Sequence, residues 1–260
     1  MKVRILGCGT SSGVPRIGND WGDCDPAEPR NRRTRGAILV ESDAGTRVLV
    51  DTGPDFREQM LAARVATFDA VIWTHDHADH VNGIDDLRQV FHAMRRPVRG
   101  LARPHTLAVL RERFGYVFNG RGGYPSTVAV EELPDRLTIG DIAITVTDQP
   151  HGDITSAGLR FEADGAVLAY ATDFSHLTSD MRSLYQGVDL WIVDALRRRP
   201  HPTHPTVDDV AAWHAELGPA RTMLVHMDQS MDYATLTAEL PTGIAPAHDG
   251  WEMRLSGSEA

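Results

Sequence analysis

The run Ala70-Val71-Ile72-Trp73-Thr74-His75-Asp76-His77-Ala78-Asp79-His80 decides how the rest of this chain is read. Its first four residues are apolar and short enough for a buried strand. The polar string therefore falls in the loop at a strand's C-terminal end, where α/β proteins place ligands. Twelve histidines in 260 residues would put three at those positions somewhere in the chain with a chance of roughly 2–3%. Three imidazoles and a carboxylate within six residues repel one another when the rings are protonated. A divalent cation resolves that, because neutral imidazole and carboxylate are its ligands. His75 and His77 can point the same way along an extended loop, while Asp79 and His80 follow as the chain enters a helix. One metal taking the first pair and a second taking the other is a reasonable division. Each then needs ligands from elsewhere.

Three further positions offer them, each beside the end of an expected strand. His151 follows strand Ile142–Thr147, Asp173 follows strand Ala166–Tyr170, and His226 terminates strand Thr222–Val225. Around these, the pattern predicts strands at Val3–Cys8, Gly36–Glu41, Arg47–Val50, Gly158–Glu162 and Leu190–Val193, with a last one near Trp251–Leu255. Helices are expected at about Pro54–Ala63, Gly83–Met94, His105–Phe114, Leu177–Gln186, Val207–Leu217 and Tyr233–Glu239. Hairpins early in each half and strand–helix alternation afterwards give an α/β (or α+β) class with mixed sheets covered by helices. No repeat or linker divides the chain, so residues 1–260 are expected to form one domain.

Composition narrows the function. Hydrophobic residues at 42% and charged residues at 24% are those of a globular protein, not of a disordered or fibrous one. Lys+Arg 26 against Asp+Glu 36 gives a net charge of -10, which argues against coating long nucleic acid. A local arginine cluster can still bind one phosphate, and Arg30, Arg32, Arg33 and Arg35 are candidates either for such a clamp or for a solvated or structural arginine face. The loop Thr10–Gly13 is a second candidate, through its backbone N–H groups. Cys8 and Cys24 are too few for a disulfide framework, and the opening MKVRILGCGT has no apolar signal-peptide core. The longest apolar runs, such as Val188–Val193, fall far short of a membrane span. A cytoplasmic location, with no membrane partner, is the expectation. The oligomeric state is not fixed by the sequence, and a homodimer is compatible with it.

The string HDHADH, followed in order by His151, Asp173 and His226, resembles the metallo-β-lactamase fold hydrolases. Asp51, in Val50-Asp51-Thr52-Gly53, matches that family's first motif, so the resemblance covers nearly the whole chain. It implies a four-layer αβ/βα sandwich of two mixed sheets flanked by helices, with a dinuclear site at one edge. His75, His77 and His151 would hold one divalent ion, zinc or manganese. Asp79, His80 and His226 would hold the other, and Asp173 would bridge them. Asp51 would fix the loop and a ligand histidine by hydrogen bonding. The true β-lactamases carry another residue at the position of His80 and a cysteine ligand in the second site, so antibiotic hydrolysis is disfavoured.

A narrower resemblance is to the PhnP phosphodiesterases, a branch related to ribonuclease Z. It rests on the stretch from Gly7 to Pro15, on Trp21-Gly22-Asp23-Cys24, on Asn31–Arg35 and on Pro200-His201-Pro202-Thr203-His204-Pro205-Thr206. A His-x-Thr/Ser element marks this branch, and the chain has two copies of H-P-T. His204 is preferred over His201 because Thr206 can cap a helix from Val207 with Asp209 in a capping box, which would hold His204 rigidly. Some PhnP proteins bind a structural zinc through an N-terminal cysteine cluster; only Cys24 is present here, so none is expected. The resemblance implies a dinuclear phosphodiesterase acting on a small diester, cyclic or acyclic, such as a ribosyl 1,2-cyclic phosphate. His204, Asp79 and Asp173 would be its catalytic residues. The alternatives are a transfer-RNA 3′-processing nuclease, which usually inserts a basic arm not visible here, and a thioester or lactone hydrolase of the glyoxalase II or lactonase kind, which would not need His204.

Overall fold

The computed structural model describes residues 1–256. Its first half runs β1 (Lys2–Gly7), β2 (Ala37–Glu41), β3 (Arg47–Val50), α1 (Phe56–Ala63), β4 (Ala70–Trp73), α2 (Ala78–Val81), α3 (Leu87–Met94), β5 (Val98–Ala102), α4 (Pro104–Asn119) and β6 (Val128–Glu132). The second runs β7 (Arg136–Ile139), β8 (Ile142–His151), β9 (Ile154–Ala163), β10 (Ala166–Ala171), α5 (Ser179–Tyr185), β11 (Leu190–Asp194), α6 (Val207–Leu217), β12 (Thr222–Val225), α7 (Tyr233–Glu239) and β13 (Ile244–Pro246). A final strand, β14 (Glu252–Arg254), returns to the first sheet.

Two seven-stranded sheets result, in the orders β14-β1-β2-β3-β4-β5-β6 and β13-β12-β11-β10-β9-β8-β7. Each is antiparallel on one side and parallel on the other. β1, β2 and β3 pair antiparallel, and β3 to β6 pair parallel. Likewise β7 to β10 are antiparallel and β10 to β13 parallel. The parallel strands need crossovers, and helices supply them.

Strand alternation builds the layers. Ile38, Val40, Val48, Val50 and Ile72 turn toward the second sheet and share one core with Ile144, Leu159, Phe161 and Leu168. Their neighbours Leu39, Leu49, Val71 and Trp73 face the other way, against Phe56 of α1, Leu87 and Val90 of α3, and Leu107 and Leu110 of α4. Period-two alternation with apolar residues on both faces is what a sheet between two layers requires. The architecture is therefore the four-layer sandwich expected.

The structure adds strands where the sequence reading had none: β5, β6, β7 and β13. β5 contains Arg99 and Gly100, which hides it from a hydrophobic-run criterion. Gly100 is required there, since a Cβ would lie 2.6 Å from the Trp73 ring. β8 also runs on to His151, past the point expected. Pro150 lies beyond the part of β8 that β7 covers, an edge position where proline is tolerated. α4 continues to Asn119 after a kink at Phe114 (φ -123, ψ 29), the residue where the expected helix ended. No helix among the described residues is long and apolar enough to cross a membrane.

Candidate metal centre

The parallel strands deliver the chemistry at their C-terminal ends. β4 leads into His75–His80, β10 into Asp173, β12 into His226, and β11 ends on Asp194. The turn away from each strand is sharp. Asp51, Asp173 and His226 all take left-handed backbone, with φ of 66°, 54° and 57°. Non-glycine residues hold that conformation uncommonly, and three of the seven that do so among the described residues lie at this cluster.

All seven expected ligands converge. One ligand atom each from His75, His77, His151 and Asp173 lies within 4.8 Å of the others, and the same holds for Asp79, His80 and His226. Asp173 stands between the groups. Its Oδ1 is 3.9 Å from His75 Nε2, 3.8 Å from His151 Nε2 and 3.4 Å from His226 Nε2, and its Oδ2 is 3.2 Å from His80 Nε2. Every one of these residues is buried except His77, which is exposed and marks the open side.

The donor set fits a metal on its own hydrogen bonding. Buried polar atoms normally have partners, yet His75 Nε2, His80 Nε2 and His226 Nε2 have none. The opposite nitrogens of His75 and His80 have partners, Thr74 Oγ1 at 3.1 Å and Asp51 Oδ2, whereas His226 Nδ1 has none. Asp51 Oδ2 meets His80 Nδ1 at 2.7 Å and also accepts from the Thr74 hydroxyl, while its Oδ1 accepts from the Thr74 N–H. His151 Nδ1 donates to the Thr203 carbonyl at 3.1 Å, which leaves Nε2 with its lone pair facing the cluster. Such contacts fix tautomer and ring orientation in metal sites. Behind Asp173, the Ser156 hydroxyl donates to its backbone carbonyl at 2.7 Å, Gln149 Nε2 donates to Ser156 at 2.8 Å, and the Tyr185 hydroxyl donates to Gln149 Oε1 at 2.7 Å.

Electrostatics point the same way. Burial, then the neighbouring His80 charge, push His75 well below the usual histidine range. Burial would lower His80 and His226 too, but the carboxylates outweigh it. Asp173, Asp79 and Asp51 raise His80 well above its ordinary value, and Asp173 and Asp194 raise His226 to about 9. Burial alone would raise Asp173; the His226 and His80 charges instead hold it well below the carboxylate range. Without a cation, then, protons occupy the positions among the carboxylates where positive charge is needed.

His204 joins this cluster. Its Nδ1 is 2.6 Å from Asp194 Oδ2, and its ring stacks on His226 with centroids 4.8 Å apart. The capping box of α6 holds the chain beside it, with Thr206 and Asp209 each accepting from the other's backbone N–H. His201 packs against His204 with ring centroids 5.0 Å apart, its Nδ1 accepting from the Thr203 N–H at 3.3 Å. Asp194 is the residue the sequence reading missed. It sits at a strand end after an apolar run, the same signal that singled out Asp173 and His226, but its run had been closed one residue early at Val193.

The arginine cluster is largely structural. Arg33 is buried, donating to the carbonyls of Asp228 and Met231 at 3.3 and 2.5 Å. Arg30 pairs with Glu28 and lies over the Tyr233 ring, 4.2 Å from its centroid. Arg35 sits 3.2 Å from Asp55, and Arg32, exposed like Arg30, has no ion pair among the described residues. Three of the four are therefore engaged within the fold. Cys24 is buried, with Arg33 Nη1 3.9 Å from its sulfur.

Such a sandwich with a strand-end His/Asp cluster defines a metal-dependent hydrolase. The chain belongs to the β-lactamase superfamily: the sequence model of the Beta-lactamase superfamily domain matches residues 46–227. Within it the chain falls in the PhnP-like branch. A solved diphosphatase of the PhnP family is 34% identical, with a TM-score of 0.88 over 97% of this chain and 97% of that one. The zinc-bound PqqB of Methylobacterium extorquens shares the fold at 21% identity, with a TM-score of 0.78 over 98% and 100%. An octanoyltransferase of Porphyromonas gingivalis is 32% identical over 97% of this chain; the chain spans about half of that protein, 51%.

Proposed function

We propose that this hydrolase is a dinuclear phosphodiesterase acting, as a single domain, on a small diester, with a ribosyl 1,2-cyclic phosphate as the type. His75, His77 and His151 would hold one divalent ion, zinc or manganese, and Asp79, His80 and His226 the other, with Asp173 shared. Such ions supply Lewis acidity toward the phosphoryl oxygens and an acidified water.

The observation that carries the phosphodiester reading is the Asp194–His204 pair. A carboxylate 2.6 Å from Nδ1 orients the ring, and in this reading Nε2–H would be the donor. A diester's alkoxide must be protonated as it leaves, and His204 would deliver that proton. An acyl hydrolase sharing the ligands has less need of it. Asp173 orients the ligand rings from the centre, and Asp79 does the same beside His80 and His226, 3.3 and 3.5 Å away. The PhnP-family diphosphatase supports phosphorus as the electrophile.

Leaving-group chemistry tests this. His204→Ala should keep its metal and lose about 10²–10⁴-fold on alkyl or ribosyl diesters, the usual worth of general acid catalysis. p-Nitrophenyl diesters, whose leaving group departs unaided, should lose appreciably less. Equal losses on both would make His204 a binder of the phosphoryl group, and metal loss in step with activity would make it a ligand.

A further inference from the structure

A second cavity lies outside the metal cluster. It encloses about 350 Å³ between α3, the distal half of α4 and the loop after it, and Arg88, Phe91, Tyr116, Val117, Arg121 and Tyr124 line it. None of the metal-ligand candidates does. Its volume is at the lower end of small-molecule sites.

Two features mark it as built for a ligand. The first is aromatic exposure. Four large hydrophobic side chains stand well exposed among the described residues, and two of them, Tyr116 (45%) and Tyr124 (72%), line this cavity together with half-buried Phe91. Exposed aromatics grouped around a concavity offer stacking faces. The second is charge. In a chain of net charge -10, residues 87–127 hold eight arginines and one acid, Glu112. Arg99, Arg103 and Arg113 are taken by Glu131, by Asp135 and Asp148, and by Asp76. Arg88 and Arg121 form no ion pair among the described residues, so both guanidinium groups are free at the cavity. Asp85, also in the lining, faces the Tyr116 hydroxyl.

We propose that this cavity binds an aromatic phosphate of the nucleoside monophosphate type, its ring against Tyr116, Tyr124 and Phe91 and its phosphate on Arg88 and Arg121. Aromatic side chains stack any base, and a guanidinium fork recognises a phosphate through paired N–H groups. The site is coupled to the reaction centre through α4. Arg113, one turn before Val117, donates Nη1 to the Asp76 carbonyl at 2.7 Å, between His75 and His77. The same ligand chemistry can come from the non-reacting half of the enzyme's own substrate or from a free nucleotide. This inference does not depend on the phosphodiester reading.

Photoaffinity labelling of the metal-loaded protein with 8-azidoadenosine monophosphate tests it. The adduct should map to the peptide holding Tyr116 and Tyr124, and adenosine monophosphate should protect against it. Arg88→Gln with Arg121→Gln, both surface changes, should weaken protection by about tenfold or more, the worth of charge-assisted contacts. Adenosine and inorganic phosphate should each protect far less well. An adduct confined to the peptides around His75–His80 or His204 would overturn the proposal. So would unchanged protection in the double variant, or inorganic phosphate protecting as well as the nucleotide. The same variant separates the sources: a raised KM with unchanged kcat on bis-p-nitrophenyl phosphate makes the cavity a substrate subsite, and unaltered kinetics with lost nucleotide binding makes it a separate site. The labelling reads out whether or not that diester is turned over.

Discussion

The two sheets build the candidate metal centre by different means. The first contributes His75, His77, Asp79 and His80 from one loop after β4, all within six residues. The second contributes His151, Asp173 and His226 from three separate strand ends. In the first case covalent proximity brings the ligands together, and the fold has only to hold one loop. In the second, strand register brings them together. β10, β11 and β12 are neighbouring parallel strands, with Ala171 opposite Val193 and Asp194 opposite Val225. With strands about 4.8 Å apart, residues just past those pairs come within reach of one ion. A slip of one residue would turn each side chain to the opposite face. The local half is thus tolerant of the sheet, and the dispersed half is an outcome of it.

The largest effect should come from the dispersed half. Asp173→Ala removes the carboxylate that touches both ligand groups, so metal content and turnover should fall together, by elemental analysis and diester hydrolysis. A variant that keeps full metal content would show that the strand-end carboxylate is dispensable and the loop alone suffices.

Next is the support of the local half. Asp51 is fully buried, meets His80 Nδ1 at 2.7 Å and accepts from both N–H and hydroxyl of Thr74. Asp51→Asn should lower metal affinity or activity by about 10–100-fold, the usual worth of a ligand's hydrogen-bond partner. A chelator competition measures it, and an unchanged affinity would mean that the loop positions His80 unaided.

The backing of Asp173 gives a smaller, structural effect. A Cβ on Gly158 would sit 1.8 Å from the Tyr185 hydroxyl and 2.9 Å from Gln149 Oε1. Gly158→Ala should cost about 1–3 kcal/mol by overpacking. Tyr185→Phe should cost about 1 kcal/mol for the lost hydrogen bond. The double variant should be more stable than the sum of the two costs, since the clashing oxygen is gone. Chemical denaturation of all three decides it, and simple additivity would contradict the packing.

The mildest prediction concerns pH. His226, with its pKa raised to about 9, is protonated in the metal-free fold at neutral pH. A raised histidine pKa stabilises the fold fully below the unfolded value of about 6.5 and loses that contribution as pH climbs through about 9. Metal needs the neutral ring, so apparent affinity should rise over the same window, with protons released on binding. Calorimetry in buffers of different ionisation enthalpy counts them. Binding without proton release at pH 7.5 would remove the strand-end histidine from the ligand set.

How much was legible follows the same division. The string from His75 to His80 names its chemistry locally, and the Thr206–Asp209 capping box is equally local; both are present as spaced. Asp194 carries a local signal, an acid closing an apolar run, but its role as the partner of His204 exists only where β11 runs between β10 and β12. The strands β5 and β7 escaped because an Arg-Gly pair and half-exposed residues break the apolar run. The Arg30–Arg35 cluster is open in the sequence between a phosphate clamp and a solvated or structural face. Four like charges in six residues look solvated, yet Arg33 is buried by carbonyl partners some two hundred residues away at Asp228 and Met231.

The sequence by itself determined the ligand types, the loop that carries four of them, the helix caps and the alternation that makes two-faced strands, because each depends on contacts within a few residues. Tertiary structure alone decided that His204, and not His201, meets a buried carboxylate, that Asp173 stands between two ligand groups, and that Arg33 is buried. Those outcomes depend on which strands lie side by side and in what register, information held in the packing of two sheets against each other and in no single segment of the chain.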